Sequence, residues 1–281
     1  MPVVASLYYQ VHAQRATSDA IPWKAEGPGL ETQSAAYGDI RAAEQAGPAI
    51  VLIHGAGGNH LFWPFNLRRL PGYQVYAPDL PGHGKSGGSP QPTIAAYADA
   101  LLNWLQELGL EQTVLIGHSM GSAIALWLAL ERPDLVTGLG LLGSSARLAV
   151  NPALIAGASR ADSFPQAVDT VIRWSFSLSA SPDLTHLAAR RMAEMPAAVL
   201  HNDFLACSAF DLSDRLAEIH CPALVLCGDQ DKMTPLSQAQ HLARNLPAGR
   251  LEVIPGAGHM LMLEQPLAVE AALLRFLGEM I

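Results

Sequence analysis

Residues 112–130 read QTVLIGHSMGSAIALWLAL, and they constrain the fold of this chain more than any other stretch. A short run of apolar and β-branched residues suits a buried strand. Beyond it, Ala123, Ile124, Leu126, Trp127 and Leu130 recur at helical spacing. Between them stands Gly117-His118-Ser119-Met120-Gly121, so Ser119 falls on a sharp strand-to-helix turn. Glycines at 117 and 121 remove Cβ atoms where strand, turn and helix crowd together. The turn lifts the Ser119 hydroxyl out of the core to a helix N-terminus, where unpaired amides and the positive dipole end favour a developing anion. With 24 glycines in 281 residues the pentapeptide alone says little. Its place between a strand and a helix is what gives it meaning.

The rest of the chain alternates in the same way from residue 49 onward. Strands are expected at Ala49–Ile53, Gln74–Ala77, Val114–Ile116, Leu135–Leu142, Ala223–Cys227 and Leu251–Ile254. Helices are expected at Thr93–Leu108, after Ser119, and from Pro266, a good first-turn residue, to Leu277. Strands alternating with helices imply an α/β fold with a mostly parallel central sheet covered on both faces. Leu7–His12 reads as an edge strand, and the Pro/Gly-rich part from Ile21 to Leu30 as loop.

The rhythm breaks between Arg147 and Phe210. Gln166–Phe176 and Leu184–Met195 are amphipathic and punctuated by prolines at 152, 165, 182 and 196, with no buried strand. This reads as a helical cap inserted over the C-terminal edge of the sheet, where ligands bind in open α/β sheets. The alternative is a set of ordinary crossover helices. The expected division is therefore 1–146 and 211–281 for the core, with 147–210 as cap.

Composition narrows the setting. Half the residues are hydrophobic and 15% are charged, enough apolar material for a sizeable core. Lys plus Arg number 17 against 25 for Asp plus Glu, a net charge of −8 that disfavours nucleic acid or an anionic membrane as partner. The uncharged stretch 112–130 is split by its glycines, histidine and serine, so no membrane span is expected. The N-terminal MPVVASLYYQVHAQR lacks the pattern of a signal peptide. Cys207, Cys221 and Cys227 have no metal-ligand spacing and cannot all pair in disulfides, so a reducing cytoplasm is the simplest home. Cys221 and Cys227 flank or lie in a strand and read as small core residues. Ten histidines invite a metal, yet no His-Glu-x-x-His occurs, and neither a metal nor a cofactor is expected.

A serine nucleophile needs a base to take its proton, and the base needs an acid that fixes its tautomer and stabilises its cation. Gly228-Asp-Gln-Asp-Lys-Met-Thr-Pro235 follows one strand and supplies two carboxylates, Asp229 and Asp231. Gly256-Ala-Gly-His259 follows the next and supplies an imidazole. Strands distant in sequence thus deliver three groups to one rim.

Five landmarks in this order carry a resemblance: His54-Gly-Ala-Gly-Gly58, Asp79-Leu-Pro-Gly-His-Gly-Lys-Ser86, Gly117-His-Ser-Met-Gly121, Asp229-Gln-Asp-Lys-Met-Thr-Pro235 and Gly256-Ala-Gly-His259. From about residue 50 to 280 the chain resembles the α/β-hydrolase fold superfamily, in its serine-nucleophile, esterase- and lipase-like branch. The resemblance implies Ser119 as nucleophile, His259 as base and Asp231, rather than its loop neighbour Asp229, as acid. Some relatives take the acid from the end of the preceding strand, but Gly143-Ser-Ser-Ala146 holds no carboxylate. The resemblance also implies an oxyanion hole made by the backbone N–H groups of Ala56 and Met120. Asp79 is expected to bond backbone in a structural loop, with Lys85 and Ser86 facing solvent. His118 is expected to be structural or to line the pocket.

The activity this implies is hydrolysis of a carboxylic ester, or a related acyl bond, of a small and mainly apolar molecule. Phe62, Trp63, Trp174, Phe176, Met260 and Leu261 are candidates to wall its pocket; the alternative is that they pack cap against core. If one of Arg147, Arg173, Arg190 or Arg191 pointed inward, a carbon–carbon bond hydrolase or synthase-like enzyme acting on an acidic ketone would rise in rank. A hydrolase-fold receptor that binds a ligand with little turnover is the alternative of another class. The oligomeric state is left open.

Overall fold

The computed structural model describes residues 7–12 and 47–280. Among these residues seven strands form one sheet: β1 (Tyr9–His12), β2 (Ala49–Ile53), β3 (Val75–Pro78), β4 (Thr113–His118), β5 (Val136–Leu142), β6 (Ala223–Gly228) and β7 (Gly249–Ile254). Their spatial order is β1-β3-β2-β4-β5-β6-β7. Only β1 runs antiparallel, pairing Tyr9 with Pro78 at the edge; the remaining pairings are parallel. The expected edge strand near residue 9 is thus present, whereas the loop expected at Ile21–Leu30 lies outside the described residues.

The inner strands β2 to β6 are almost wholly apolar because both sheet faces are covered, whereas the edge strands β1 and β7 carry Gln10, His12, Arg250 and Glu252. Alternate residues go to opposite sides: Val51, Ile53, Leu115, Leu139, Leu141 and Val225 to one core, Ile50, Leu52, Val114, Ile116, Leu224 and Leu226 to the other. Burying each such side chain contributes about 1.5–3 kcal/mol. Helix α1 (Ile94–Glu107) turns Tyr97, Leu101, Trp104 and Leu105 inward. Its start is fixed by Thr93, whose hydroxyl oxygen accepts from the Ala96 N–H at 3.1 Å. Helix α2 (Met120–Glu131) begins directly after Ser119 and is buried over most of its surface.

From β2 the chain steps to β3 on one side, and from β4 to β5 on the other. Connections leaving neighbouring strands in opposite directions open a crevice at their C-terminal ends. The loops after Ile53 and His118 meet there.

Four helices and no strand lie between β5 and β6: α3 (Pro152–Ala158), α4 (Phe164–Ser175), α5 (Pro182–Ala193) and α6 (Ala197–Ser208). They have a small core of their own, including Leu154, Val168, Val171, Met192, Leu200 and Phe204, against which Ala56 of the β2 loop packs. A single antiparallel bridge between Arg147 and Asp211 closes the base of the insertion. Two of these helices, α4 and α5, are the amphipathic stretches seen in the sequence. The other two are short or apolar on most sides and leave little periodic signal. The chain continues with α7 (Leu236–Asn245), β7, the single turn α8 (Leu261–Glu264) and α9 (Pro266–Gly278). Among the described residues no helix is long and apolar enough to cross a membrane.

Candidate active site

Ser119 is the one non-glycine residue among those described with a positive φ, at 53°. Such a backbone costs on the order of 1–3 kcal/mol and persists only where the surroundings impose it. They do so here. A Cβ on Gly117 would lie 2.3 Å from the Gly121 carbonyl carbon, and one on Gly121 would lie 2.1 Å from the Ile53 oxygen. The Ser119 N–H donates to Leu142 O at 2.9 Å, tying the turn to the neighbouring strand. Ser122 completes the brace by donating to Gly117 O at 2.7 Å.

His259 and Asp231 come from the ends of β7 and β6. The His259 Nδ1 lies 2.9 Å from Asp231 Oδ2, and both residues are buried. Asp231 is fixed before any substrate arrives: Oδ1 accepts from the Met233 and Thr234 amides at 2.8 Å each, and Oδ2 accepts from the Thr234 hydroxyl at 2.8 Å. Burial works to raise the Asp231 pKa, but the His259 charge and the hydrogen bonds from His259 and Thr234 outweigh it and hold it below the ordinary value. Asp229 is placed differently. Its Oδ1 accepts from the Gly256 N–H at 2.8 Å, a brace for the β7 turn.

The His259 loop is clasped to the helical insertion. Glu264 accepts from the Gly258 amide through one oxygen and from the Ser177 amide through the other, each at 2.8 Å. Ser175 O accepts from the Met260 N–H at 3.0 Å. Gly258 has no room for a side chain, since a Cβ there would meet Ser177 N at 2.7 Å.

Ser119, His259, Ala56 and Gly55 face one cavity of about 170 Å³. Helices α3, α4 and α6 roof it with Leu154, Val171, Trp174 and Phe204. Of the six expected wall residues, Phe62, Trp174 and Met260 line this cavity. Trp63, Phe176 and Leu261 do not; they are buried in the core on the α9 side of the sheet. The reason is local. Phe62 ends a 3₁₀ turn and reaches the cavity while also packing in that core, whereas Trp63, where the backbone becomes extended, packs in the core alone. Met260 likewise touches both core and cavity, and Leu261 the core alone.

The amides of Ala56 and Met120 have no backbone acceptor among the described residues. Met120 is the first residue of α2, so its N–H points out of the helix by construction. Both amides flank the cavity end of the β2 and β4 loops without a backbone acceptor, and His259, anchored on Asp231, lines the same cavity as Ser119.

Other sequence candidates resolve into structural parts. Asp79 Oδ1 accepts from the His60 amide at 2.7 Å and Oδ2 from the Lys85 amide at 2.8 Å. Ser86 does not face solvent as expected: its hydroxyl donates to Asp79 O at 2.6 Å and accepts from the Tyr8 amide at 2.8 Å. It pins the β1 edge to the loop. Cys227 is buried in β6 and its thiol is pushed up to about 12 by burial and the nearby Asp231 and Asp229 charges, which suits a packing residue. Cys207, by contrast, reaches the cavity. Among the described residues no arginine lines it: Arg147 pairs with Asp211 and Arg191 donates to Leu61 O. Lys232, missed in the sequence, stands at the cavity beside Asp231. Thr234 was visible only as part of the Met-Thr-Pro run.

The comparisons with known proteins agree with this architecture. Protein ABHD8 of Bos taurus is 30% identical over 253 residues, covering 83% of this chain and 56% of that protein. The chain thus spans about half the length of these curated relatives. RutD of Pseudomonas savastanoi pv. phaseolicola, named as a candidate carbamate hydrolase, is 30% identical over 247 residues that cover 82% of this chain and 94% of RutD. A solved thermophilic esterase from Thermogutta terrifontis, with malate bound, superposes with a TM-score of 0.76 at 27% identity, covering 84% of this chain and 91% of the esterase. Residues 48–266 match the model of the α/β hydrolase fold, and with the sheet order and strand-end loops described above the chain belongs to the α/β hydrolase fold family.

Proposed function

We propose that this protein is a serine hydrolase that cleaves a carboxylic ester of a small, mainly apolar substrate through Ser119, His259 and Asp231. The observation that carries the reading is the buried 2.9 Å contact of His259 with Asp231, with Ser119 and His259 lining one cavity. An ionised Asp231 accepts a hydrogen bond from His259 Nδ1–H, which fixes the tautomer and leaves the Nε2 lone pair free to take the Ser119 proton. The serine oxygen attacks the ester carbonyl carbon, and the new oxyanion is held by the Ala56 and Met120 amides. Collapse expels the alcohol, protonated by His259, and leaves an acyl group on Ser119. Water, activated by the same imidazole, then releases the acid. In this reading 147–210 acts as a cap on a core made of 1–146 and 211–281.

The cavity of about 170 Å³ is lined largely by apolar side chains, among them Leu154, Val171 and Phe204, which favours a small, mainly apolar acyl group. Similarity to an esterase and to RutD supports acyl-bond hydrolysis, with carbamates as close competitors of esters. The cap arginines give the acidic-ketone alternative no support, because they are engaged elsewhere or exposed, and among the described residues Lys232 is the cation that lines the cavity. A panel of p-nitrophenyl esters from acetate to decanoate tests the proposal. Turnover peaking at short to medium chains and absent in Ser119→Ala is expected. A folded protein that hydrolyses none of them, while binding a ligand tightly, would instead make it a receptor.

A further inference from the structure

Asp203 is an acid inside an apolar helix, fully buried on α6, and it touches neither Ser119 nor the cavity. Its partners all belong to the core. Oδ2 accepts from the Gly57 amide at 2.9 Å and meets His83 Nε2 at 2.8 Å. Oδ1 accepts from the Tyr97 hydroxyl at 2.6 Å. The other ring nitrogen of His83 faces Pro81 O at 3.0 Å, which can only accept. With acceptors at both nitrogens, the geometry around His83 favours its imidazolium form paired with Asp203. Its pKa is accordingly raised: burial pulls it down, but the Asp203 charge and hydrogen bond pull it up further.

Buried ion pairs are weak stabilisers, and well-packed apolar residues of similar volume often serve stability as well or better. The pair therefore needs another reason. Gly57 supplies it. The Gly58 N–H donates to Gly55 O at 3.0 Å, closing a turn whose third residue, Gly57, has φ +65°. This is the pattern of a type II turn, and its central peptide joins Ala56 to Gly57. Asp203 grips the N–H of that peptide. The turn is also pressed directly onto the insertion: a Cβ on Gly57 would lie 2.9 Å from both Leu200 Cδ1 and Met195 Cε.

We infer that Asp203 is a positioning residue that reaches from the helical insertion and locks the 55–58 turn so that the Ala56 amide faces the developing oxyanion. The inference rests on the proposed hydrolase reading. It makes α6 a link between substrate and hole, because Phe204 and Cys207 of the same helix line the cavity. Substrate packed against α6 and the grip on Gly57 are then one rigid piece.

The test compares Asp203→Leu, Asp203→Ser and Asp203→Asn with the wild-type protein in steady-state ester hydrolysis. Inhibition by an alkyl boronic acid, whose serine adduct carries the oxyanion, is measured in parallel. Losing one oxyanion donor costs about 10²–10³ in kcat, so the Leu variant should lose about 10²-fold in kcat and in boronate affinity, with KM changed by less than about threefold. The Ser variant is too short to reach Gly57 and should behave alike if Leu folds poorly. Asn keeps an acceptor for the Gly57 N–H, while the Tyr97 hydroxyl can turn to accept from its amide; it should stay within about tenfold of wild type. A folded Leu or Ser variant with wild-type kcat, a loss confined to KM, or an Asn variant as impaired as Leu would overturn the inference. Wild-type protein that neither hydrolyses esters nor takes a fluorophosphonate on Ser119 would instead overturn the hydrolase reading itself.

Discussion

His118 donates its Nε2–H to the carbonyl oxygen of His259 at 3.0 Å, and the two rings lie 4.8 Å apart. The residue before the serine thus holds the backbone of the residue that would deprotonate it. Burial first, then the His259 charge, push the His118 pKa down to about 3, so it is a neutral donor at working pH. Replacing it by Leu leaves a buried carbonyl unsatisfied. We predict a stability loss of about 1–3 kcal/mol in urea denaturation, together with a fall in kcat smaller than that of His259→Ala. Unchanged stability would show that the contact contributes nothing.

The two neighbouring aspartates should separate sharply. Asp231→Asn keeps the shape but removes the charge that fixes the His259 tautomer, and should lower kcat by about 10⁴-fold. Asp229 only braces the Gly256 amide, and Asp229→Asn should stay within a few-fold of wild type. The reverse order in ester kinetics would move the acid to Asp229.

Stability should depend on pH through three buried imidazoles. In His54, burial and then the His83 charge push the pKa down to about 4; His118 lies lower still. Unfolded histidine titrates near 6.5. Between roughly pH 4 and 6.5 the unfolded chain binds protons that the folded one refuses, so stability rises with pH across that window. His83 has the opposite sign. Its raised pKa contributes stability that is complete below the unfolded value and is lost as pH rises through the folded one. Tm should therefore climb steeply on the acid side and decline gently on the alkaline side, and His83→Gln should flatten the alkaline limb while also easing the acid limb, because the charge that helps lower His54 is gone. A Tm flat from pH 4.5 to 6.5 would contradict these assignments.

Two glycines make a packing control. Gly121→Ala drives a methyl into the Ile53 carbonyl at 2.1 Å, whereas a Cβ on Gly278 meets nothing. The first variant should be insoluble or lose several kcal/mol. The second should match or slightly exceed wild-type stability in thermal melts.

Cavity shape should set acyl length. Phe204 roofs the pocket, and Phe204→Leu should move the peak of the p-nitrophenyl ester profile to longer chains. An unmoved peak would mean that the acyl group lies elsewhere.

The strand-end landmarks were readable because backbone crowding dictates them: Gly117 and Gly121 are required by contacts under 2.5 Å, whatever the side chains do. The parallel sheet was readable because its inner strands are buried on both faces. Side-chain direction in irregular segments was not. Phe62 and Trp63 are equally apolar, and a 3₁₀ turn decides which one meets the cavity. Helix α6 left no amphipathic stripe because both core and cap cover it, so Asp203 had no signal until its three partners, 106 to 146 residues away in sequence, were placed beside it.

The central claim is an activated serine, and covalent labelling tests it most directly. The protein is treated with a fluorophosphonate and read by intact mass and peptide mapping. The account predicts one adduct on Ser119 that is lost in His259→Ala. A folded protein that takes no adduct, or takes it at another residue, would contradict it.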